Sequence, residues 1–234
     1  MNLAPAGWYP DPSGQGGMRW WDGAAWTADR SPTSSATVPE DETGIARWAR
    51  TALLVAAPAQ IVSMAGGLLA VRWFVDEIRR AEDTGRPLAS EPWGTGVETL
   101  LQVVGGIGVV TGILFLVWFA RSAANAQALG LPARRTPAAG VAGFIVPVLN
   151  LWWPYGSVSD LLPDGHPDKP LVLRWFLLWV VGGQVGTLIA FGAGLAQPAV
   201  GWALLSLPSA AIVAAAIDAR RIIAAAAEAH GQAL

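Results

Sequence analysis

The sequence contains no cysteine, and this absence excludes disulfide bonds, iron–sulfur clusters and thiol catalysis. Charged residues are also scarce, at 14% of 234 residues, against about 25% in soluble proteins. Residues 1–44 hold no long apolar run, so no cleavable signal peptide is expected there. The net charge of −2 is too small to favour nucleic acid as a partner.

The chain is instead rich in long apolar runs. Hydrophobic residues make up 53% of it, and the mean hydropathy is +0.42. Uncharged runs at 51–71, 99–120 and 175–217 are each long enough to cross a hydrocarbon core of about 30 Å. The last run has room for two spans, and Gln197-Pro198 predicts a tight turn inside it. The sequence therefore predicts an all-α integral membrane protein, surrounded by the lipid bilayer, with spans at about 51–71, 99–120, 175–196 and 199–217.

The stretch 138–159, between the second and third spans, is apolar but contains two prolines. Pro147 and Pro154 each remove a backbone donor and make a regular helix through the stretch unfavourable. Gly130 and Pro132 predict that the helix of the second span ends before the stretch 138–159 begins. We therefore interpret 138–159 as a broken, re-entrant or interfacial segment that does not span the membrane.

The basic residues favour the same arrangement. With four spans, one side of the membrane carries nine Lys or Arg near the spans and the other carries four, whereas a fifth span at 138–159 gives five against eight. Because basic residues favour the cytoplasm, the nine-residue side and both termini are predicted cytoplasmic, in a plasma (inner) membrane. The nine are Arg47, Arg50, Arg121, Arg134, Arg135, Lys169, Arg174, Arg220 and Arg221.

Residues 1–30 form a polar, Trp-rich unit, followed by a linker at 31–44 that is predicted to be disordered. Strand-like runs at 18–21 and 24–27 flank Asp22-Gly23, which predicts a β-hairpin with a type I′ turn. The sizeable apolar groups of the unit are Trp8, Tyr9, Trp20, Trp21 and Trp26. We expect these rings to form the core of so small a unit. The alternative is that they line a groove for a proline-rich peptide.

Three motif blocks in this unit carry a resemblance to a known family. GWYPDP at 7–12, RWWDG at 19–23 and Trp26-Thr27 resemble a short domain of unknown function, mostly actinobacterial, that often precedes membrane segments. The resemblance implies a cytoplasmic adaptor-like module without an assigned activity. A cytoplasmic protein partner is therefore expected to bind through residues 1–30.

A second resemblance covers about residues 45–225. The blocks at 118–130, 136–154 and 159–162 look like a four-span membrane domain family of unknown function. Its members share an Arg and an Asn after the second span, a proline-bounded Asn-Leu motif and an acidic-Leu ending. The corresponding residues here are Arg121, Asn125, Pro147, Asn150, Leu151, Pro154 and Asp160, the last in place of a more usual glutamate. The resemblance implies the architecture and no established activity.

The central stretch also supplies the candidate ligand site. Arg121 and Asn125 are four residues apart and so lie on one face of a helix. Basic residues expected at the same surface are Arg134, Arg135, Lys169 and Arg174. Beside a broken segment carrying Pro147, Asn150 and Pro154, such a cluster suits an anionic lipid head group, at about 1 kcal/mol per basic residue. The alternative is that these residues only determine topology.

Small residues recur every four positions in the predicted third span, at Gly182, Gly186, Ala190 and Gly194. Such a ridge lets helices approach closely, either within one bundle or at the face of a homo-oligomer. Gln60, Gln102, Gln184 and Thr187 are polar side chains within the spans, and they predict interhelical hydrogen bonds or a polar path.

The predicted spans carry no charged residue, which argues against an ion pump. We find no catalytic set and no metal-ligand spacing, and His166 and His230 are expected to be solvated surface residues. No cofactor is predicted. The leading hypothesis is a non-enzymatic membrane scaffold or interaction protein with a cytoplasmic adaptor module. The alternative is a transport-like protein that handles an anionic lipid or a small solute.

Overall fold

The computed structural model describes residues 5–10, 12, 18–31, 43–89 and 95–231. The chain divides into two compact units, Met1–Glu40 and Asp41–Leu234. Most of the predicted linker, residues 32–42, lies outside the described residues.

The first unit contains an antiparallel sheet of three strands, ordered β1 (Gly7–Pro10), β2 (Met18–Trp21) and β3 (Trp26–Ser31). The predicted hairpin is confirmed as β2 and β3. Strand β1 was not predicted, because Pro10 lies at its end and Pro12 follows two residues later. Proline is nevertheless compatible with an edge strand, where one side of the backbone needs no ladder partner.

The turn of the hairpin differs from the predicted type I′ turn, and that prediction is wrong. Trp21 pairs with Trp26, which leaves four residues in the loop, and no described residue other than glycine has a positive φ. The Asp22 side chain instead stabilises this four-residue loop by accepting backbone N–H bonds from Ala24 and Ala25, both at 2.7 Å. These bonds, that of Ala25 foremost, hold the pKa of Asp22 below its ordinary value.

The second unit is helical. Its elements are α1 (Thr43–Thr84), α2 (Thr95–Ala128), α3 (Pro137–Ile145), a 3₁₀ turn (Leu149–Leu151), α4 (Trp153–Ser159), α5 (Lys169–Phe176), a π-helical stretch (Leu177–Val185), α6 (Gly186–Ala196), α7 (Pro198–Leu204) and α8 (Ser206–Gly231). Within the described residues, four helical segments are long and apolar enough to cross a membrane: Thr43–Thr84, Val97–Ala128, Lys169–Ala196 and Pro198–Gly231. The predicted four-helix architecture is confirmed, and the chain is a multi-pass membrane protein. We call these segments the first to fourth spans.

Helix α2 ends where its sequence predicts. Gly130 adopts a φ of 75°, the Leu131 N–H donates to the Ala126 carbonyl at 2.9 Å, and the Gly130 N–H donates to that of Gln127 at 3.0 Å. This Schellman arrangement satisfies carbonyls that the last turn leaves free. Pro132 then prevents the helix from continuing.

The segment 138–159 is broken at its prolines, as predicted. Helix α3 ends at Ile145 before Pro147, and Pro154 occupies the first turn of α4, where a missing N–H costs nothing. The two helices pack side by side, since a Cβ on Gly143 would lie 2.8 Å from the Cβ of Trp153. The Arg134 N–H before α3 donates to Asp160 after α4 at 2.8 Å. The segment therefore leaves and returns at the same end of the bundle, as a helical hairpin.

Two apolar clusters hold the four spans together at opposite ends of the bundle. One contains Trp118, Phe119 and Val172, together with Ala49 and the buried face of α8. The other contains Met64, Leu68, Ala190 and Leu205. Side chains in lipid gain nothing from leaving water, so close packing at these clusters stabilises the bundle.

The glycine ridge of the third span is used inside the chain. A Cβ on Gly182 would lie 2.5 Å from the Cβ of Ala211, and one on Gly194 would lie 2.6 Å from Leu68. Ala190 is fully buried. These contacts bring the third span against the fourth and the first, as packing within one bundle requires.

The last helix is longer than the fourth span predicted at about 199–217. Helix α8 continues unbroken to Gly231. His230 is 2% exposed and its Nε2 lies 3.0 Å from the Leu161 carbonyl, so its assignment to the solvated surface is wrong. This buried face of α8 was not recognised in the sequence, because it consists largely of alanines such as Ala226. His166 is half-buried, and its Nδ1 accepts the Asp168 N–H.

Candidate functional site

A cavity of about 640 Å³ lies among the four spans, between the two apolar clusters. Its walls come from all four spans and from Phe144 of α3, and most of the lining is apolar. Small residues make the space, among them Ala57, Gly112 and Ala216. None of the described residues that line it is charged.

Four polar side chains line this cavity; the fourth is Thr187, and the other three lie at about the same depth. Gln60, Thr111 and Gln184 are each ten residues from an arginine at the basic end of its span, namely Arg50, Arg121 and Arg174. At 1.5 Å per residue, this places them on the order of 15 Å below the arginines, near the middle of a 30 Å core. We call these three residues the polar layer.

The tip of the α3–α4 hairpin reaches this layer. The Gln184 Nε2 donates to the Asn150 Oδ1 at 3.2 Å, and the Asn150 Nδ2 donates to the Phe144 carbonyl at 2.9 Å. Asn150 is 9% exposed, whereas Gln184 is exposed on its cavity-lining side chain, so the two hydrogen bonds are partly buried. Gln184 belongs to the π-helical stretch, a type of irregularity that is frequent at functional sites.

Aromatic rings close the cavity at the basic end. Phe115 contacts Phe144 and Trp175 at centroid distances of 5.3 and 6.3 Å, and Trp175 stacks on Trp179 at 5.5 Å. The α3–α4 hairpin thus fills the gap between the second and third spans on this side. It ends at the polar layer, so it fills only half of that gap.

The other half of the gap is open. The backbones of the second and third spans pack little on each other in the described part of the chain. Leu188, which is 73% exposed, lines both the cavity and the outer surface, and exposed Gly108 and Gly112 line it on the facing helix. The cavity therefore opens sideways, toward the acyl chains of the bilayer.

Of the predicted head-group residues, Arg134 and Arg135 lie together over Gly156. A Cβ there would be 3.1 Å from the Nη1 of both, so glycine is what lets them approach. Arg134 pairs with Asp160 at 3.4 Å, and the Arg135 guanidinium lies 4.5 Å from the ring centroid of Trp153. These contacts hold the base of the α3–α4 hairpin.

Lys169 and Arg174, also predicted for the basic cluster, have carboxylate partners within the chain. The Lys169 Nζ binds Asp164 at 2.6 Å and holds the pKa of that carboxyl below its usual value. The Arg174 Nε donates to Asp218 at 2.7 Å, and a second guanidinium nitrogen binds the other oxygen. Asp218 is only 1% exposed, so this bidentate pair locks the third span to the fourth.

Arg121 and Asn125 differ in their surroundings. Arg121 is exposed, whereas Asn125 is 3% exposed within the apolar cluster at that end. Pro147 and Pro154 act through the backbone, as helix boundaries. Among the predicted candidates, the structure thus brings Asn150 into contact with Gln184 of the cavity lining, and Arg134 and Arg135 to the base of the hairpin. The assignment of an anionic head group to these residues stays a prediction.

In the first unit, Tyr9, Trp21 and Trp26 pack ring against ring, with centroid distances of 6.3 Å for Tyr9–Trp26 and 5.3 Å for Trp21–Trp26. All three remain half-buried, as does Trp20. The side chain of Trp8 lies outside the described residues, although its backbone pairs with Trp20. The ring contacts favour the structural use of these side chains, and partner binding stays a prediction.

Thr111 and the cavity itself were missed by the sequence reasoning. A threonine inside an apolar helix is common. That its hydroxyl lacks a hydrogen-bond partner among the described residues is visible only once the surrounding side chains are known. A usable signal did exist, because polar residues stand ten positions from an arginine in three separate spans. Gln102, predicted with the other glutamines, does not line the cavity.

The chain belongs to the family described as Domain of unknown function (DUF4328), whose model matches residues 91–230. Residues 6–39 match a second family, Protein of unknown function (DUF2510). The predicted order of two domains of unknown function is confirmed. The DUF4328 match begins after α1, whereas the resemblance was expected from about residue 45. Neither a curated protein nor a solved structure matches the chain.

Proposed function

We propose that this member of the DUF4328 family is a non-enzymatic membrane protein that binds an uncharged, lipid-like molecule between its spans. The cavity of about 640 Å³ carries this proposal. Its volume, its mostly apolar lining and its few polar groups are typical of sites for small molecules. The lack of charge in the described lining favours an uncharged ligand, since a charged group at this depth would be unpaired.

The sideways opening supports a lipid-like ligand over a water-soluble one. The mouth between Gly112 and Leu188 faces acyl chains, so a molecule dissolved in the bilayer reaches it without crossing the interface. At the basic end, the packed rings of Phe115, Phe144 and Trp175 obstruct a path from water. The alternative drawn from the sequence was a protein that handles an anionic lipid or a small solute; this proposal differs from it in an uncharged ligand and in an intramembrane site in place of the basic cluster.

Filling the cavity tests the proposal. Nothing lies within 4 Å of a Cβ on Gly108 or Gly112, so the backbone at both positions accepts a side chain, and the double variant Gly108→Leu/Gly112→Leu reduces the space in the cavity. We expect lipid extracted from the purified wild-type protein to contain an enriched uncharged component. That component should be reduced several-fold in the double variant, as measured by mass spectrometry.

The matched control is Gly105→Leu/Gly106→Leu. These glycines lie on the same helix and have equal room for a Cβ, but they do not line the cavity. Both double variants gain the same helix propensity. Equal lipid content in the two variants would contradict the proposed function.

We further propose that the protein lies in the plasma (inner) membrane with both termini in the cytoplasm. The nine-to-four distribution of basic residues supports this orientation. The Arg174–Asp218 pair and the Arg134–Asp160 pair are consistent with it, because they group these basic residues at one end of the bundle.

A second candidate function is partner binding through the first unit, as the leading hypothesis of the sequence analysis has it. It is favoured by the half-exposed rings of Tyr9, Trp21 and Trp26, since half-exposed aromatic clusters are common at interfaces. If it holds, in-cell crosslinking should recover a protein that is lost when residues 1–31 are deleted. An identical set of crosslinked proteins from both chains would rule this role out.

A further inference from the structure

We infer that the ligand of the cavity carries a hydroxyl group, which the polar layer binds in the middle of the membrane. This inference rests on the proposed function and adds the chemical class of the ligand. It assigns Thr111 and Gln184 as the residues that determine specificity. The class is an uncharged amphiphile with a long apolar body and a hydroxyl, such as a long-chain alcohol or a diacylglycerol.

Thr111 is the first support. It is 7% exposed and lines the cavity, and its hydroxyl has no hydrogen-bond partner among the described residues. Thr187 shows the usual alternative, because its hydroxyl donates to the Gly183 carbonyl one turn earlier in the same helix. A hydroxyl that faces an apolar cavity within the membrane and has no partner in the chain is unfavourable, and a ligand with a polar group would satisfy it.

The second support is the orientation of the Gln184 amide. The Phe144 carbonyl can only accept, so the group that Asn150 turns toward it must be the NH₂. The Asn150 oxygen then faces Gln184 and receives the NH₂ of that side chain. The Gln184 oxygen is left as an acceptor without a partner in the described part of the chain. The hairpin tip thereby decides which half of the Gln184 amide is available to a ligand.

Together these two residues favour a hydroxyl over uncharged groups that can only accept a hydrogen bond. A ligand hydroxyl can donate to the Gln184 oxygen and accept from the Thr111 hydroxyl. A carbonyl, ester or ether oxygen can only accept, so it leaves the Gln184 oxygen unpaired. A carboxylate or phosphate would bring charge into a layer where the described lining has no basic residue.

Photocrosslinking of the full-length protein in liposomes tests this inference. The probes are a diazirine-bearing long-chain alcohol, its methyl ether and the corresponding carboxylic acid. We expect labelling in the cavity to fall on peptides of the four spans, since residues of all four line it. The alcohol should label about three- to tenfold more than the ether, as one net hydrogen bond provides. Equal labelling by the two would overturn the inference.

Two variants separate this inference from the proposed function. In Thr111→Val and Gln184→Leu, the ratio of labelling by the alcohol to labelling by the ether should fall toward one. Labelling by the ether should persist in both variants and shows that the cavity is still folded. The control Gln102→Leu alters a glutamine of α2 outside the cavity and should keep the preference. A preference retained in Thr111→Val and Gln184→Leu would refute the roles of these residues. Loss of all cavity labelling in the wild type would refute the proposed function itself.

Discussion

Asn150 connects the two parts of the membrane unit that the sequence leaves separate. Its side chain donates to the Phe144 carbonyl at the end of α3 and accepts from Gln184 in the third span. It therefore holds both the turn of the α3–α4 hairpin and the position of that hairpin in the bundle. Hydrogen bonds at this depth have no water to replace them.

Replacing Asn150 tests this role. In Asn150→Ala, the Phe144 carbonyl and the Gln184 amide both lose a partner in a site of low polarity. We expect a loss of about 1–3 kcal/mol in stability, which thermal unfolding in detergent, followed by size-exclusion chromatography, would detect as a lower midpoint.

The control for this experiment is Leu151→Ala, the next residue along the chain. Leu151 is 50% exposed, so its truncation removes little packing and no side-chain hydrogen bond. If both variants unfold at the same temperature, Asn150 does not hold the hairpin in the bundle.

Single residues were the hardest feature to predict from the sequence. Asn150 could be singled out because it stands between two prolines, but nothing near it in the chain indicates Gln184 as its partner. His230 was misassigned because alanine is ambiguous, fitting a buried or an exposed helix face equally well. Thr111 could not be singled out by its own position in the sequence, because what distinguishes it is a hydroxyl without a hydrogen-bond partner among the described residues.

At the scale of elements, the sequence was most informative where the backbone has few options. Long uncharged runs must be helical in lipid, and two prolines close together disfavour a continuous helix through 138–159, so the four spans and this break were predictable. Strand β1 and the Asp22 turn were not, because short strands depend on cross-strand partners more than on their own residues.

The direction of the α3–α4 hairpin also follows from its residues once the packing is known. Gly140 and Gly143 let α3 approach its neighbours closely, since a Cβ on either would lie 2.8 Å from Phe119 or Trp153. Such glycines indicate close packing in the sequence, but not the partner. The return of α4 is visible in the Arg134–Asp160 contact and in the packing of Trp153 on Gly143. Residues within the segment thus predict that it forms a hairpin, whereas its position in the bundle depends on contacts with residues far away in the chain.

At the scale of the whole molecule, the hairpin decides the topology of everything that follows it. Because 138–159 leaves and returns at one end of the bundle, the loop before it and the loop after it share a side of the membrane. A full span there would place residue 164 on the side of residue 86. The two arrangements therefore differ at one loop that can be tested directly.

The absence of cysteine makes that test clean, because a single introduced thiol is the only one in the chain. We propose Arg86→Cys, Ala133→Cys and Asp164→Cys at exposed positions in three loops, and Val148→Cys at the exposed tip of the hairpin. In intact cells, a membrane-impermeant maleimide should label position 86 alone. After permeabilisation it should also label 133 and 164, while 148 stays poorly reactive because lipid excludes the hydrophilic reagent. Labelling of position 164 together with position 86 in intact cells would mean that the segment 138–159 crosses the membrane. Strong labelling of position 148 after permeabilisation would mean that the hairpin tip is surrounded by water and does not lie in lipid.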